Sequence, residues 1–211
     1  MGRKYDDLLL RFKTAVVLIL VYGVLIYLGG VYFALALLIT CVIFIIELNR
    51  LVVFRTNSFI FLVFGAALCF SSFSIWDLFN QDKRFLIFLL AVVMVTDISG
   101  YFVGKFLGGP KVSKALSPNK TWSGLFGGWV GAIIVAIFGS YLFESILFAV
   151  LIGFSLSLFS QAGDFLESYL KRRAQVKDSS NLLPGHGGFL DRFDGIIGAG
   201  FGYGFLSYVV L

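Results

Sequence analysis

Long apolar runs, one after another, are what most constrain this chain. They fall at about 14–28, 31–47, 58–76, 84–103, 122–142, 145–162 and 193–211, with polar stretches between them. Roughly 20 apolar residues cross the hydrocarbon core of a bilayer. Backbone N–H and C=O groups find no water there, so the runs must be helices, which satisfy those groups internally. Composition agrees: 59% of the 211 residues are hydrophobic and 14% charged, against about 25% charged in soluble domains. So few charges cannot cover a surface facing water on all sides. The expectation is an all-α integral membrane protein of about seven transmembrane helices, built as one polytopic domain over 1–211.

The charged stretch Met1 to Lys13 followed by an apolar run has the outline of a signal peptide. However, the run Thr14 to Leu28 is followed at once by a second, Val31 to Ile46, with no small-residue cleavage site between them. A retained helical hairpin with a tight connection at Gly29-Gly30 is the expected form.

The basic residues supply an independent test. With the N-terminal side inside, the inner segments hold Arg3, Lys4, Arg11, Lys13, Arg50, Arg55, Lys105, Lys111, Lys114, Lys120, Lys171, Arg172, Arg173, Lys177 and Arg192. Only Lys83 and Arg84 of the seventeen fall outside. This follows the positive-inside rule and implies a cytoplasmic N-terminus, an odd number of spans and an outer C-terminus. The net charge of +5 is thereby a topology signal, and no nucleic-acid partner is expected. Both long polar loops, roughly 104–121 and 163–192, come out on the cytoplasmic side. There they would meet soluble nucleotides and lipid headgroups together.

Cys41 and Cys69 are the two cysteines; each lies in an apolar run and reads as a small buried thiol rather than a disulfide or zinc ligand. Gly124, Gly127, Gly128 and Gly131, and later Gly198, Gly200, Gly202 and Gly204, stand at small-xxx-small spacing. Such faces let helix backbones approach, either within one chain or across a homodimer seam.

The stretch Gln161 to Asp194, QAGDFLESYLKRRAQVKDSSNLLPGHGGFLDRFD, carries the chemistry. At 100° per residue, Asp164, Glu167, Ser168 and Lys171 share one helix face. An i,i+4 ion pair would account for Glu167 and Lys171, but not for Asp164, which continues an apolar span. A carboxylate inside a membrane costs about 2.5–3.5 kcal/mol and usually persists because something binds it. Further on, Pro184-Gly185-His186-Gly187-Gly188 has turn chemistry, and Asp191, Arg192 and Asp194 stand where the last helix begins. Acidic residues favour helix starts, so capping is one reading of these aspartates. An anion site is the other, because glycines let backbone N–H groups approach one.

Ser168 to Asp194 resembles the signature of the phosphatidate cytidylyltransferase (CDP-diacylglycerol synthase) family. The matching positions are Ser168, Lys171, Arg172, Lys177, Asp178, Ser180, Leu183, Pro184, His186, Gly187, Gly188, Asp191, Arg192 and Asp194. Two upstream stretches are similar to family segments: DISGYFVGKFLG from Asp97 to Gly108, and SPNKTWSG from Ser117 to Gly124, where Ser123 stands in a place commonly acidic. The resemblance covers roughly 95–211, so 1–83 reads as N-terminal helices and 84–211 as the catalytic core with cytoplasmic active-site loops. The chain is shorter than many members, by the equivalent of one or two N-terminal helices.

The resemblance implies the reaction of CTP with phosphatidate to give CDP-diacylglycerol and diphosphate in phospholipid synthesis. The attacking phosphate oxygen is already anionic, so the obstacle is repulsion between two anions. One pair of unit charges 4 Å apart costs about 4 kcal/mol at an effective dielectric of 20, roughly a thousandfold in rate. Such a site needs cations and metal ligands. Mg²⁺ suits hard carboxylate oxygens and substrate phosphates; zinc does not suit a chain with one histidine and intramembrane cysteines. The resemblance implies Asp164 and Asp191 as ligands first, then Glu167 and Asp194. It implies Lys171 and His186 beside the two aspartates at the chemistry. Substrate contacts would come from Ser117, Lys120, Thr121, Ser168, Arg172, Lys177, Asp178, Gly187, Gly188 and Arg192. For the cations, topology alone is a competing explanation, since inner loops of any membrane protein collect them. Pro118 also fits a plain turn. Asp97 is a further intramembrane acid, suited to a cation or to capping.

The partners expected are therefore CTP, phosphatidate and membrane lipids, in the inner membrane if the cell is bacterial. The alternatives are a transporter or channel using intramembrane acids, or a related CTP-dependent enzyme such as a CDP-archaeol synthase or polyprenol kinase.

Overall fold

The computed structural model describes residues 2–52, 58–184 and 187–210; in the terminal helical segments, the side chains of residues 2–9, 11–12 and 209–210 are outside that description. Arg55 and His186 lie outside the described residues. The helices are α1 (Gly2–Leu28), α2 (Gly30–Leu51), α3 (Ser58–Gln81), α4 (Lys83–Leu107), α5 (Trp122–Phe138), α6 (Ile146–Arg173) and α7 (Leu190–Phe205). A π turn, Leu206–Val210, continues α7, and a 3₁₀ turn, Ser140–Leu142, follows α5. A small antiparallel pair, β1 (Lys111–Ser113) and β2 (Ser117–Thr121), occupies the 104–121 loop. The all-α architecture holds with this one hairpin added.

Helices α2, α3, α4 and α6 are long and apolar enough to cross a membrane; Lys13–Leu28 of α1 and Trp122–Phe138 of α5 are apolar but shorter. Large apolar side chains such as Tyr27, Val31, Phe59, Phe106 and Phe138 stand exposed along these helices. A water-facing protein seldom shows so much contiguous apolar surface, whereas lipid accommodates it. The connections α1–α2, α3–α4 and α5–α6 are short: Gly29, Asp82, and 139–145.

Several boundaries differ from the sequence reading, and two of them bear on the polar loops. Helix α6 continues to Arg173, eleven residues beyond the apolar run, so the second polar loop is 174–189 rather than 163–192. Helix α7 starts at Leu190, before its apolar run. Hydropathy marks where lipid ends, not where the helix ends. The end of α6 is set by chain geometry instead: Gln175 takes the left-handed conformation (φ 57°), and Val176 N–H reaches back to the Lys171 carbonyl at 3.0 Å. This is a left-handed C-terminal cap, with Lys171, Arg172 and Arg173 in the last turn, where cations suit the helix dipole.

The chain forms two compact units, one of residues 1–69 and 170–193, the other of 70–169 and 194–211. In the first unit, α1 and α2 join through Gly29 and Gly30, both at positive φ (66° and 51°), where glycine carries no Cβ penalty. The Tyr22 hydroxyl lies 2.5 Å from Thr40 Oγ1. Thr40 already donates to the Ala36 carbonyl, so Tyr22 is the donor. Phe193 packs on Tyr22 and Phe44, ring centroids 5.2 and 5.9 Å away. Cys41 and Cys69 are free, with sulfurs 4.0 Å apart. Contrary to the expected buried thiols, Cys69 is exposed and Cys41 half-buried.

In the second unit the glycine faces are spent on helix packing. A Cβ on Gly124 would lie 2.8 Å from the Gly100 carbonyl of α4, and one on Gly127 would lie 2.5 Å from Val103 Cβ. On α7, Gly198 and Gly202 meet Phe159 of α6, while Gly200 and Gly204 meet Ser71 and Ser74 of α3. Ser71 donates to the Ile197 carbonyl at 2.8 Å. Of the two readings of these glycines, packing within one chain is what the structure contains. At the start of α4, Arg84 donates to Asp82, holding that carboxyl below its usual range, and Lys83 lies over the Phe79 ring at 5.0 Å. Lys83 and Arg84 thus both have local partners.

Candidate functional site

Each unit holds its own set of the sequence-predicted residues. In the second unit, β2 delivers Lys120 to α6. Its ammonium lies 2.7 Å from Asp164 Oδ2 and 4.6 Å over the Phe165 ring. The pair is mostly sheltered, with side chains 30% and 16% exposed. Asp97 from α4 feels the charges of both Lys120 and Asp164. Asp194, in the second turn of α7, is within hydrogen-bond reach of Asp164 and near Glu167, while its Oδ1 accepts from Gly195 N–H at 2.9 Å. Glu167 is buried. Acids from three helices thus gather around a lysine supplied by the hairpin. Like charges this close are unfavourable unless a cation or proton intervenes.

The hairpin is held by its own residues. Thr121 caps α5, accepting from Gly124 N–H at 3.1 Å, and its hydroxyl lies 3.0 Å from that of Ser123. Ser123 donates to the Gly108 carbonyl. Thr121 is buried, and Ser117 pairs across the hairpin with Ser113. The geometry therefore gives Thr121 and Ser123 structural duties that present Lys120.

In the first unit, Asp191 is the hub. Its Oδ1 accepts from Lys171 Nζ at 2.8 Å. Its Oδ2 accepts from Ser179 N–H (2.9 Å) and Gly188 N–H (2.7 Å), with the Ser179 hydroxyl oxygen 3.1 Å away. The Asp191 side chain is only 4% exposed and that of Lys171 15%. Charge-assisted hydrogen bonds of this kind are the strong ones. Lys171 pairs with an aspartate twenty residues ahead, a partner the helical i,i+4 reading did not include.

The glycine turn is closed by paired hydrogen bonds between Leu183 and Gly187. Gly187 is at φ 87°, and a Cβ there would sit 2.8 Å from Asp191 Oδ2. Arg172, Lys177, Asp178 and Arg192 are exposed, and Ser168 is half-buried on α6. The cations Arg172, Lys177 and Arg192 can meet a soluble anion without rearrangement of the core.

One residue of this unit escaped the sequence reading. Glu47 of α2, fully buried, accepts hydrogen bonds from Ser179 and Ser180 and from the backbone N–H groups of Phe189 and Leu190. The signal was present: a carboxylate inside an apolar run, the same anomaly that marks Asp164.

Among the described residues, no three His, Cys, Asp or Glu side chains converge as a ready-made metal cage. Mg²⁺ does not require one. It usually takes one or two carboxylates and completes its shell with water and substrate phosphates. The donor chemistry at Asp164 and Asp194, hard oxygens in reach of each other, fits that ion.

A sequence model of the Cytidylyltransferase family matches residues 49–209. Among curated relatives, the phosphatidate cytidylyltransferase of Brucella abortus (strain 2308) is 45% identical over 140 residues, covering 62% of this chain and 50% of its own length. That of Bacillus subtilis (strain 168) is 42% identical over 134 residues, with the same coverage. That of Rickettsia bellii (strain RML369-C) is 41% identical over 128 residues, 56% of this chain and 55% of its own. The chain spans about half the length of the curated relatives it matches.

Proposed function

The chain belongs to the Cytidylyltransferase family, and on that premise we propose that it transfers the cytidylyl group of CTP to phosphatidate, releasing diphosphate, at a Mg²⁺-dependent site on the cytoplasmic face of a membrane. The observation that carries this reading is the Lys120–Asp164 pair at 2.7 Å. It joins two stretches far apart in sequence, SPNKT and the signature helix, into one charged group beside an apolar span. A transporter needs no such meeting of a cytoplasmic hairpin with a nucleotide-transfer signature.

In the reaction, a phosphatidate oxygen forms a bond to the α-phosphorus of CTP, and the bond from that phosphorus to the bridging oxygen of the diphosphate breaks. Lys120 offsets charge beside Asp164. Lys171 holds Asp191, and the exposed Arg172, Lys177 and Arg192 gather phosphate oxygens, with Ser117, Thr121, Ser168, Asp178, Gly187 and Gly188 shaping the approach. His186 meets a substrate phosphate in the turn. Asp164, then Glu167 and Asp194, are the residues of the second unit that would hold Mg²⁺, and Asp191 is the candidate ligand of the first. When bound, the ion neutralises phosphate charge and orients the leaving group. The working unit is one membrane domain with its catalytic core over 84–211, seven spans and the N-terminus in the cytoplasm. Cytidylyl transfer is tested by supplying the purified chain with CTP, phosphatidate and Mg²⁺ and measuring CDP-diacylglycerol. Formation that requires all three supports the reading; none at any Mg²⁺ concentration defeats it.

A further inference from the structure

We propose that Glu47, near the end of α2 and outside the family-matched stretch, is a positioning residue that sets the geometry of the Asp191 loop. The inference rests on the cytidylyl-transfer reading for its rate measurement, but not for its structural one.

Glu47 is fully buried, where an ionised carboxylate survives only if its oxygens are satisfied. Four donors supply this. Oε1 accepts from Ser180 Oγ at 2.5 Å and Phe189 N–H at 3.0 Å. Oε2 accepts from Ser179 Oγ at 3.0 Å and Leu190 N–H at 2.7 Å. The last two backbone donors lie at the start of α7, where N–H groups have no helical partner and the helix dipole favours an anion. One side chain therefore grips both ends of the loop, 179–180 and 188–190, that surrounds Asp191. Ser179 links the two carboxylates: its hydroxyl donates to Glu47 at 3.0 Å and its backbone N–H to Asp191 at 2.9 Å. Gly188 reports how close the fit is: a Cβ there would run into Ser179 Oγ and lie 2.7 and 2.9 Å from the Glu47 oxygens.

The carboxylate cannot be replaced by its isostere. Each Glu47 oxygen faces one backbone N–H. A glutamine amide, in either orientation, therefore sets its NH₂ against a donor that cannot rotate away. The serine hydroxyls can turn, but the amides of Phe189 and Leu190 cannot.

The test uses the purified full chain and compares wild type, Glu47→Gln, Ser179→Ala and the double variant. Glu47→Gln is expected to lower kcat by roughly 10- to 100-fold, in the range for groups that orient ligating side chains, with the KM for CTP unchanged. Because Glu47 acts through Ser179, the double variant should fall no more than about threefold below the weaker single variant. A wild-type kcat for Glu47→Gln, or fully multiplicative losses, would overturn the proposal. If Glu47→Gln does not fold, Ser180→Ala carries the test, since it removes one donor and keeps the carboxylate. A several-fold lower kcat at an unchanged Tm supports positioning, and wild-type kcat refutes it. Hydrogen exchange gives a readout without catalysis: Phe189 and Leu190 amides should exchange faster in Glu47→Gln while α5 amides do not change. Unchanged protection at those two amides would also overturn it. A wild-type chain that makes no CDP-lipid defeats the reaction assignment, and the exchange experiment then still decides the role of Glu47.

Discussion

Asp164 stands four residues before the signature stretch and Asp191 within it, and their surroundings ask different things of them. Asp164 has Lys120 on one oxygen and acidic neighbours around it, so it gains from a further cation. Asp191 is satisfied by Lys171, Ser179 and Gly188, so it also organises the loop. Asp164→Asn should lower CDP-lipid formation by about a hundredfold or more with little change in Tm, since an amide at that site relieves repulsion. Asp191→Asn should lose both activity and stability. It breaks the sheltered Lys171–Asp191 pair, and removing one partner of a buried pair typically costs about 3–5 kcal/mol. Activity and Tm measured on the same preparations separate the two; equal Tm losses would contradict the distinction. Asp164 was legible because a carboxylate extending an apolar run is costly. Glu47 shows the same anomaly, but no motif surrounds it, and its partners lie more than 130 residues away. Spacing within a run cannot reveal a contact of that range.

At the scale of elements, α6 carries candidate residues of both units, and from Asp164 to Lys171 it rises about 10 Å, roughly the depth of a headgroup layer. Lys171→Glu should remove activity, because it breaks the Asp191 pair and adds repulsion. Lys171→Arg should retain more, since charge is kept although shape is not. Comparable kcat/KM for the two variants would mean that charge at this position is irrelevant. Packing makes its own prediction. Gly127→Leu would force a side chain into Val103 of α4, and overpacking of that kind costs about 1–3 kcal/mol or more. A wild-type Tm in detergent would argue against the close α4–α5 approach. Hydropathy made the helices legible and placed both glycine faces, but it stopped α6 at Ala162. The last three turns of α6 are polar, and its end is fixed by Gln175. The β1–β2 hairpin was unreadable for a related reason: its strands are three and five residues long and carry no alternating pattern.

For the whole molecule, fifteen of seventeen basic residues fall on one side if the N-terminus is cytoplasmic. Single cysteines at Asn119 and Asn80 in a background lacking Cys41 and Cys69 should then label from opposite sides, Asn119 from the cytoplasm. Labelling of Asn119 from outside would reverse the topology and remove CTP from reach of the hairpin. The claim on which everything else depends is that the α-phosphorus of CTP passes to lipid. It is tested by giving the purified chain CTP labelled with ³²P at either the α or the γ position, together with phosphatidate and Mg²⁺. Cytidylyl transfer predicts that α-label enters the organic-extractable lipid and γ-label leaves as diphosphate. Recovery of γ-label in lipid, the mark of a kinase, or no label in lipid from either nucleotide, would contradict it.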